Sequence, residues 1–155
     1  MIQNVKKILA PIDFSDFSME GMRDAKELAG DVGAEVHLVH VVVPHFHIIP
    51  LPLATSGDLS FEQTRESAMT QQAEEELARL KKDDFGSSPK VFTAVLNGSP
   101  VKMLIEYAEQ NGIDLIVLST HGRSGADRVM IGSVAEKLVR LAHCSVLVLR
   151  RARPT

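Results

Sequence analysis

The chain has 155 residues, of which 45% are hydrophobic and 24% charged, and its formal net charge is −3. These values are typical of one globular domain, which at this length folds without disulfides or a structural metal. The single cysteine, Cys144, excludes an internal disulfide, and the mild acidity, with one Tyr and no Trp, disfavours a nucleic-acid surface.

Apolar runs in the sequence are short. The run from Val36 to Pro44 is interrupted by His37 and His40, and it falls short of the roughly 20 residues that a membrane-spanning helix needs. The N-terminal residues lead straight into a predicted strand, without the apolar stretch and cleavage site of a secretory signal. We therefore expect a cytoplasmic protein.

Strand-length apolar runs alternate with segments of helical period along the chain. The predicted strands are residues 5–11, 35–43, 90–96, 114–119 and 145–149. The predicted helices are residues 16–30, 60–82, 100–111 and 132–142, with Gly30 or Gly33 ending the first and Ser99 and Gly112 bounding the third. Three prolines exclude a central strand or a helix interior from the apolar loop 44–53.

This order of elements predicts an α/β fold with an open, doubly wound, five-stranded parallel sheet and helices on both faces, because crossovers of this length are right-handed and join parallel strands. Residues 1–150 form the predicted single domain. The chain from Arg150 onward is predicted to be loose, with residues 151–155 as a short basic tail.

Open α/β sheets bind ligands beyond the carboxyl ends of their strands, where the strand order reverses. Asp13 follows the first predicted strand, and the glycine-containing segment 120–125 follows the fourth. Gly132 and Ser133 open a helix, whose first amides attract anions, and glycines admit a phosphate close to the main chain. With positive charge from Arg123 and Arg128, these segments predict a clamp for a polyphosphate.

The same residues also have structural interpretations. Ser133 and Glu136 match a capping box, Gly122 and Gly125 suit ordinary turns, and Asp13 suits a turn or cap at the first helix. Their joint placement at one sheet edge favours binding. The sequence has neither a Walker A motif nor G-x-G-x-x-G after its first strand, so the common NTPase and dinucleotide signatures are absent.

Three blocks of the sequence carry a family resemblance: residues 8–15, the pair His40-Val41, and residues 119–149. They are similar to the universal stress protein family (UspA-type domain), and the resemblance covers nearly the whole chain. It implies a Rossmann-like, adenine nucleotide α-hydrolase-like fold and a role in the stress response.

The ATP-binding branch of that family is marked by G-x2-G-x9-G-[S/T]. In this sequence Gly122 is the second glycine and Gly132-Ser133 the closing pair, while Ser119 replaces the first glycine. A serine Cβ there would crowd a ligand if the position required positive φ. With the rest of the motif present, the resemblance implies ATP as the ligand. The predicted cofactor-binding residues are Pro11, Ile12, Asp13, Val41, Ser119, Thr120, His121, Gly122, Arg123, Gly125, Gly132, Ser133 and Val134.

The resemblance also implies roles for these residues. Asp13 would accept a hydrogen bond from ribose or base, and Val41 would offer main-chain groups to adenine. A carboxylate suits the uncharged nucleoside end because it would repel phosphates. The residues implied at the phosphates are Gly122, Arg123, Gly132, Ser133 and Val134.

Two other functions remain open. The first is slow ATP hydrolysis, with His121 or Asp13 activating water and Ser133 placing Mg²⁺, although none of them has a partner that the sequence identifies. The second is an interaction module without nucleotide, in which Ser119 closes the pocket. The resemblance suggests a homodimer through the edge strand from Val146 to Leu149, and an unidentified protein partner.

The histidines predict no metal site. His45 and His47 lie two apart in the apolar loop, but neither a cysteine nor a carboxylate accompanies them in sequence. His37 and His40 lie three apart in a strand, so they point to opposite faces of the sheet.

Overall fold

The computed structural model describes residues 4–44, 56–122 and 132–152, the side chains of 56–62, 121, 122, 151 and 152 excepted. Its strands are β1 (Lys7–Pro11), β2 (Glu35–Val42), β3 (Val91–Asn97), β4 (Leu115–Gly122) and β5 (Ser145–Ala152). Its helices are α1 (Asp16–Val32), α2 (Ser56–Leu80), α3 (Pro100–Asn111) and α4 (Ser133–Leu141), and one π-helical turn, Lys81–Phe85, continues α2.

The five strands form one parallel sheet in the order β3-β2-β1-β4-β5. The chain passes outward from β1 to β2 and β3, and then returns to the opposite side of β1 as β4. The strand order therefore reverses between β1 and β4, and the crevice at their carboxyl ends is where such a sheet binds ligands. This topology confirms the predicted open, doubly wound α/β fold.

Alternate side chains of the strands enter two cores, one on each face of the sheet. Ile8 and Val117 pack in the core that contains residues of α1 and α2. Leu9 and Ile116, their neighbours in the same strands, pack in the core that contains residues of α3 and α4. The near-continuous apolar strands of the sequence follow from this burial on both faces.

The ends of α1 and α3 lie at residues that the sequence marks. The Oγ of Ser15 accepts a hydrogen bond from the Ser18 amide at 3.3 Å and so caps α1. Gly33 ends α1 with φ 72°, and Gly112 ends α3 with φ 63°. Of the two glycines predicted to stop α1, Gly33 does so because it takes the left-handed conformation, whereas Gly30 lies within the helix.

Both β4 and β5 are longer than predicted. Their ladder continues beyond the pair Ser119 and Leu149 as far as Gly122 and Ala152. The prediction of a loose chain from Arg150 was therefore wrong for residues 150–152. Apolar alternation ends at Leu149, but main-chain hydrogen bonds extend a strand without apolar side chains. Likewise, α2 begins at Ser56 rather than at residue 60.

Some predictions fall outside the described residues. They concern residues 45–53 of the apolar loop, residues 123–131 after β4, and residues 153–155 of the tail. Within the described ranges, no helix combines the length and the apolar character that crossing a membrane requires.

Candidate functional site

A cavity of about 520 Å³ opens at the carboxyl ends of β1, β2 and β4. It lies where the strand order reverses, and its volume is in the range of small-molecule sites. The first turns of α1, α3 and α4 complete its walls. Nine of the thirteen predicted site residues line it: Pro11, Ile12, Asp13, Val41, Ser119, Thr120, Gly132, Ser133 and Val134.

The other four predicted residues belong to the segment that follows Thr120. His121 and Gly122 end β4, where they pair with Arg151 and Ala152 of β5, and their side chains are not described. Arg123 and Gly125 lie outside the described residues. The structure therefore brings the strand ends together with the start of α4, and the basic part of the glycine segment stays a prediction.

Asp13 stands directly after β1 in a hydrogen-bonded turn. Its Oδ1 accepts hydrogen bonds from the Ser15 amide at 2.9 Å and from the Ser15 hydroxyl, while the Asp13 amide donates to Ser18 Oγ at 3.2 Å. Burial raises the pKa of Asp13, but the hydrogen bonds from Ser15 and Ser18 outweigh burial, so the pKa lies below its ordinary value. Asp13 therefore has the predicted role in the turn before α1. An ionised carboxylate has about four acceptor positions, so Asp13 can also accept a hydrogen bond from a ligand.

Replacing Ser15 by Ala is expected to lower the free energy of unfolding by about 1 kcal/mol at pH 7, because the cap of α1 is lost. The pKa of Asp13 should rise, since a donor to its carboxylate disappears. Because the pKa of Asp13 is lower in the folded than in the unfolded state, its ionisation stabilises the fold at pH values above the unfolded-state pKa. This stabilisation is lost as the pH falls through the folded-state pKa. The difference in free energy of unfolding between Ser15→Ala and the unmodified protein should therefore become smaller below about pH 4.

Urea unfolding at several pH values, with NMR titration of Asp13, measures both effects. Ser99→Ala is the matched control, because Ser99 precedes α3 in the same position but makes no capping hydrogen bond through its side chain. This control is expected to cost less than about 0.5 kcal/mol at every pH. A Ser15→Ala loss that is independent of pH would contradict the coupling to Asp13.

Ser119 fits its position in β4 without strain. Within the described part of the chain, Phe14 is the only non-glycine residue with positive φ, so Ser119 does not need the conformation that would turn its Cβ into a ligand. Ser119 lies on the face of β4 toward α1, where a Cβ on Gly21 would be 3.5 Å from the Ser119 Cβ. Its Oγ is buried and has no hydrogen-bond partner among the described residues. The cavity remains open beside this serine.

The start of α4 carries no side-chain cap in the part of the chain that the structure describes. Gly132 is the N-cap residue, with φ −55° and ψ 149°, and Ser133 is the first helical residue. The capping box predicted for Ser133 and Glu136 is therefore wrong, because Ser133 is not the N-cap residue. The Glu136 carboxylate instead pairs with Arg140 one turn later, with 2.8 Å between Glu136 Oε1 and the Arg140 guanidinium nitrogen. The first residues of α4 line the cavity, and no described side chain competes for their amides, which is the arrangement that attracts anions.

The sequence profile of the universal stress protein family matches residues 4–150. The chain belongs to the universal stress protein family. A universal stress protein of Methanocaldococcus jannaschii is 37% identical over 149 residues, which cover 96% of this chain and 84% of the relative. The family resemblance in the sequence is thereby confirmed, and membership of its ATP-binding branch stays a prediction.

Solved structures of universal stress proteins share the fold. UspA from Lactobacillus plantarum matches with a TM-score of 0.77 at 26% identity, covering 94% of this chain and 98% of that chain. A universal stress protein in complex with cAMP has a TM-score of 0.59 at 20% identity, covering 94% and 97% of the two chains. One from Archaeoglobus fulgidus in complex with dAMP has a TM-score of 0.54 at 17% identity, covering 94% and 98%.

In this universal stress protein, sequence reasoning missed cavity residues on α1, β2 and α3. Gly21 lines the cavity from α1, and its signal is glycine inside a helix, which indicates close packing. Pro100 and Leu104 line it from α3. The cavity also includes His40, whose ring lies on the opposite face of β2 from His37, as predicted; His37 contacts Tyr107 of α3.

The charge on the cavity wall is concentrated at one position. Among the described lining residues, Asp13 carries the only carboxylate. An anionic group at the start of α4 therefore meets no second carboxylate on the described wall, where a like charge would oppose its binding.

Proposed function

We propose that this universal stress protein binds ATP in the crevice at the carboxyl ends of β1 and β4 and acts as a regulatory or interaction protein in the stress response. The observation that carries the proposal is a single cavity lined by the Asp13 carboxylate, the end of β2 and the start of α4, which no described side chain caps. The nucleotide complexes of the two distant relatives support an adenine nucleotide as the ligand.

The adenine end is proposed to lie at Val41. The ladder between β1 and β2 ends at the pair Pro11 and Val39, and the Ile12 amide then donates to the Val39 carbonyl at 2.8 Å. Main-chain groups alternate in direction along a strand, so the N–H and C=O of Val41 point to the same side as those of Val39, beyond the end of β1. A donor and an acceptor so placed match the edge of an adenine ring.

The phosphates are proposed to lie at Gly132, Ser133 and Val134. Helix amides and the helix dipole attract anions, whereas phosphates beside Asp13 would meet a like charge. Neighbouring strands lie about 4.8 Å apart, so Val41 of β2 and Ser119 of β4, with β1 between them, are separated by about 10 Å. This width leaves room for the ribose near Asp13, between the base and the phosphates.

Isothermal titration of the unmodified protein with ATP tests the function. We expect saturable binding at or below millimolar ATP, with weaker binding of GTP because its base presents a different edge to Val41. Nucleotide retained through purification, and identified by mass spectrometry after denaturation, should be an adenine nucleotide. No heat at millimolar ATP in protein free of retained nucleotide would contradict the proposal.

A homodimer through β5 is a further part of the proposal. β5 is an edge strand whose residues from Val146 to Leu149 are apolar, and an exposed edge of this kind favours pairing with a second copy. Sedimentation velocity of Val148→Lys should show a monomer. Thr93→Lys, on the exposed opposite edge strand β3, is the control and should remain a dimer. A dimeric Val148→Lys protein would place the interface elsewhere.

A further inference from the structure

The residue before Asp13 is held by two long-range hydrogen bonds. The Ile12 amide donates to the Val39 carbonyl at 2.8 Å, and the Ile12 carbonyl lies 2.7 Å from Nδ1 of His40, 28 residues away in sequence. A carbonyl oxygen only accepts, so His40 Nδ1 carries the proton and donates it. Ile12 is therefore fixed to β2 at both of its main-chain polar groups, its N–H and its C=O.

The residue after Asp13 is held by the same histidine. Phe14 has φ 62°, a conformation that is costly for a residue with a bulky side chain and that persists where surrounding contacts enforce it. Its ring lies 4.8 Å from the His40 ring at an interplanar angle of 41°. One imidazole thus contacts the residues on both sides of Asp13, through the main-chain carbonyl of Ile12 and the side-chain ring of Phe14.

We propose that His40 is a positioning residue that orients the Asp13 carboxylate toward a ribose hydroxyl, and that it thereby sets the discrimination between ribo- and deoxyribonucleotides. This inference rests on the proposed ATP site. The turn at Ser15 fixes one oxygen of the carboxylate, but the direction in which the turn faces depends on the chain from Ile12 to Phe14. A carboxylate displaced by a fraction of an ångström loses the alignment that a short hydrogen bond to a hydroxyl requires.

The experiment compares affinities for ATP, 2′-deoxy-ATP, 3′-deoxy-ATP and AMP by titration calorimetry. The unmodified protein should prefer ATP over at least one deoxy analogue by about tenfold or more, since a hydrogen bond to a charged group is lost. His40→Phe retains a ring against Phe14 but removes the donor to Ile12, so this preference should fall to less than about threefold. The ratio of ATP to AMP affinity, which reports the phosphate end, should not change.

Two further variants separate this role from a general effect on folding. His40→Asn places an amide nitrogen where Nδ1 lies, so it can still donate to the Ile12 carbonyl and should retain the ribose preference. His40→Gln places its amide one bond further along and should lose the preference. These two variants test the hydrogen bond even if His40→Phe does not fold.

A double-mutant cycle with Asp13→Ala tests whether His40 acts through Asp13. Asp13→Ala removes the acceptor and should abolish the ribose preference, and His40→Phe should add nothing in that background. An additional loss there would show that His40 contacts the nucleotide directly and would overturn the positioning role. An unchanged preference in His40→Phe, or none in the unmodified protein, overturns this inference alone, whereas absence of ATP binding overturns the proposed function as well.

Discussion

Replacing Gly132 by Val is expected to weaken ATP binding by about 30-fold or more, because hydrogen bonds from the first amides of α4 to a charged phosphate are lost. Gly132 lines the cavity and precedes those amides. A Val side chain there stands between the amides and the space that the phosphates are proposed to fill. Titration calorimetry with ATP measures the loss.

The same substitution should leave the fold intact. A Cβ on Gly132 would meet no atom of the described residues within 4 Å, and the φ of Gly132, −55°, is open to any residue. Exchanging glycine for valine at an N-cap costs at most about 1 kcal/mol of stability. Adenosine, which has no phosphate, should bind Gly132→Val and the unmodified protein with the same affinity.

Gly30→Val is the matched control for this prediction. Gly30 is exposed in α1, a Cβ there also meets nothing within 4 Å in the described part of the chain, and Gly30 is not among the residues that line the cavity. ATP should bind this variant as it binds the unmodified protein. If Gly132→Val instead binds ATP with undiminished affinity, the phosphates do not lie at the start of α4.

The fold was predictable because its signals are local. Apolar runs of strand length and the glycines at 33 and 112 mark elements and their ends through backbone conformation alone. The order of the elements along the chain also places Asp13, Thr120 and Ser133 near one sheet edge, since parallel strands share the edge at which their carboxyl ends lie. The carboxyl ends of parallel strands share this edge whichever strands are paired.

The remaining features depend on contacts between distant parts of the chain. The hydrogen bond from His40 to the Ile12 carbonyl follows from the pairing of β2 with β1, which periodicity does not specify. The capping-box pattern at Ser133 is local, but in the structure Gly132 is the N-cap residue and Glu136 pairs with Arg140. A local pattern of this kind predicts the wrong partner when the helix begins one residue earlier than the pattern assumes.

Gly21 shows how a distant contact changes the expected effect of a substitution. In a helix interior, Gly→Ala ordinarily stabilises by about 0.5 to 1 kcal/mol. Gly30→Ala in α1 should do so, because a Cβ there meets none of the described atoms within 4 Å. A Cβ on Gly21, in the same helix, would lie 3.0 Å from the main-chain nitrogen of Ser119. The same substitution is therefore expected to have the opposite sign at Gly21.

Relief of this contact requires α1 and β4 to move apart, because the nearest atom is main chain rather than the end of a flexible side chain. Overpacking of this kind costs about 1 to 3 kcal/mol, which outweighs the gain in helix propensity. Gly21→Ala should therefore lower the free energy of unfolding in urea while Gly30→Ala raises it. Gly21→Ala should also weaken ATP binding, since α1 and β4 both line the cavity.

Ser119→Gly decides which atom opposes the new methyl group. It removes the Ser119 Cβ, which would lie 3.5 Å from a Cβ on Gly21, but leaves the Ser119 nitrogen at 3.0 Å. Ser119→Gly should therefore not restore the stability that Gly21→Ala loses. Rescue would show that the serine side chain, rather than the main chain of β4, limits the approach of α1. Stabilisation of equal size in Gly21→Ala and Gly30→Ala would show that α1 moves away from β4 freely, in which case the cavity wall at Ser119 is not fixed by Gly21.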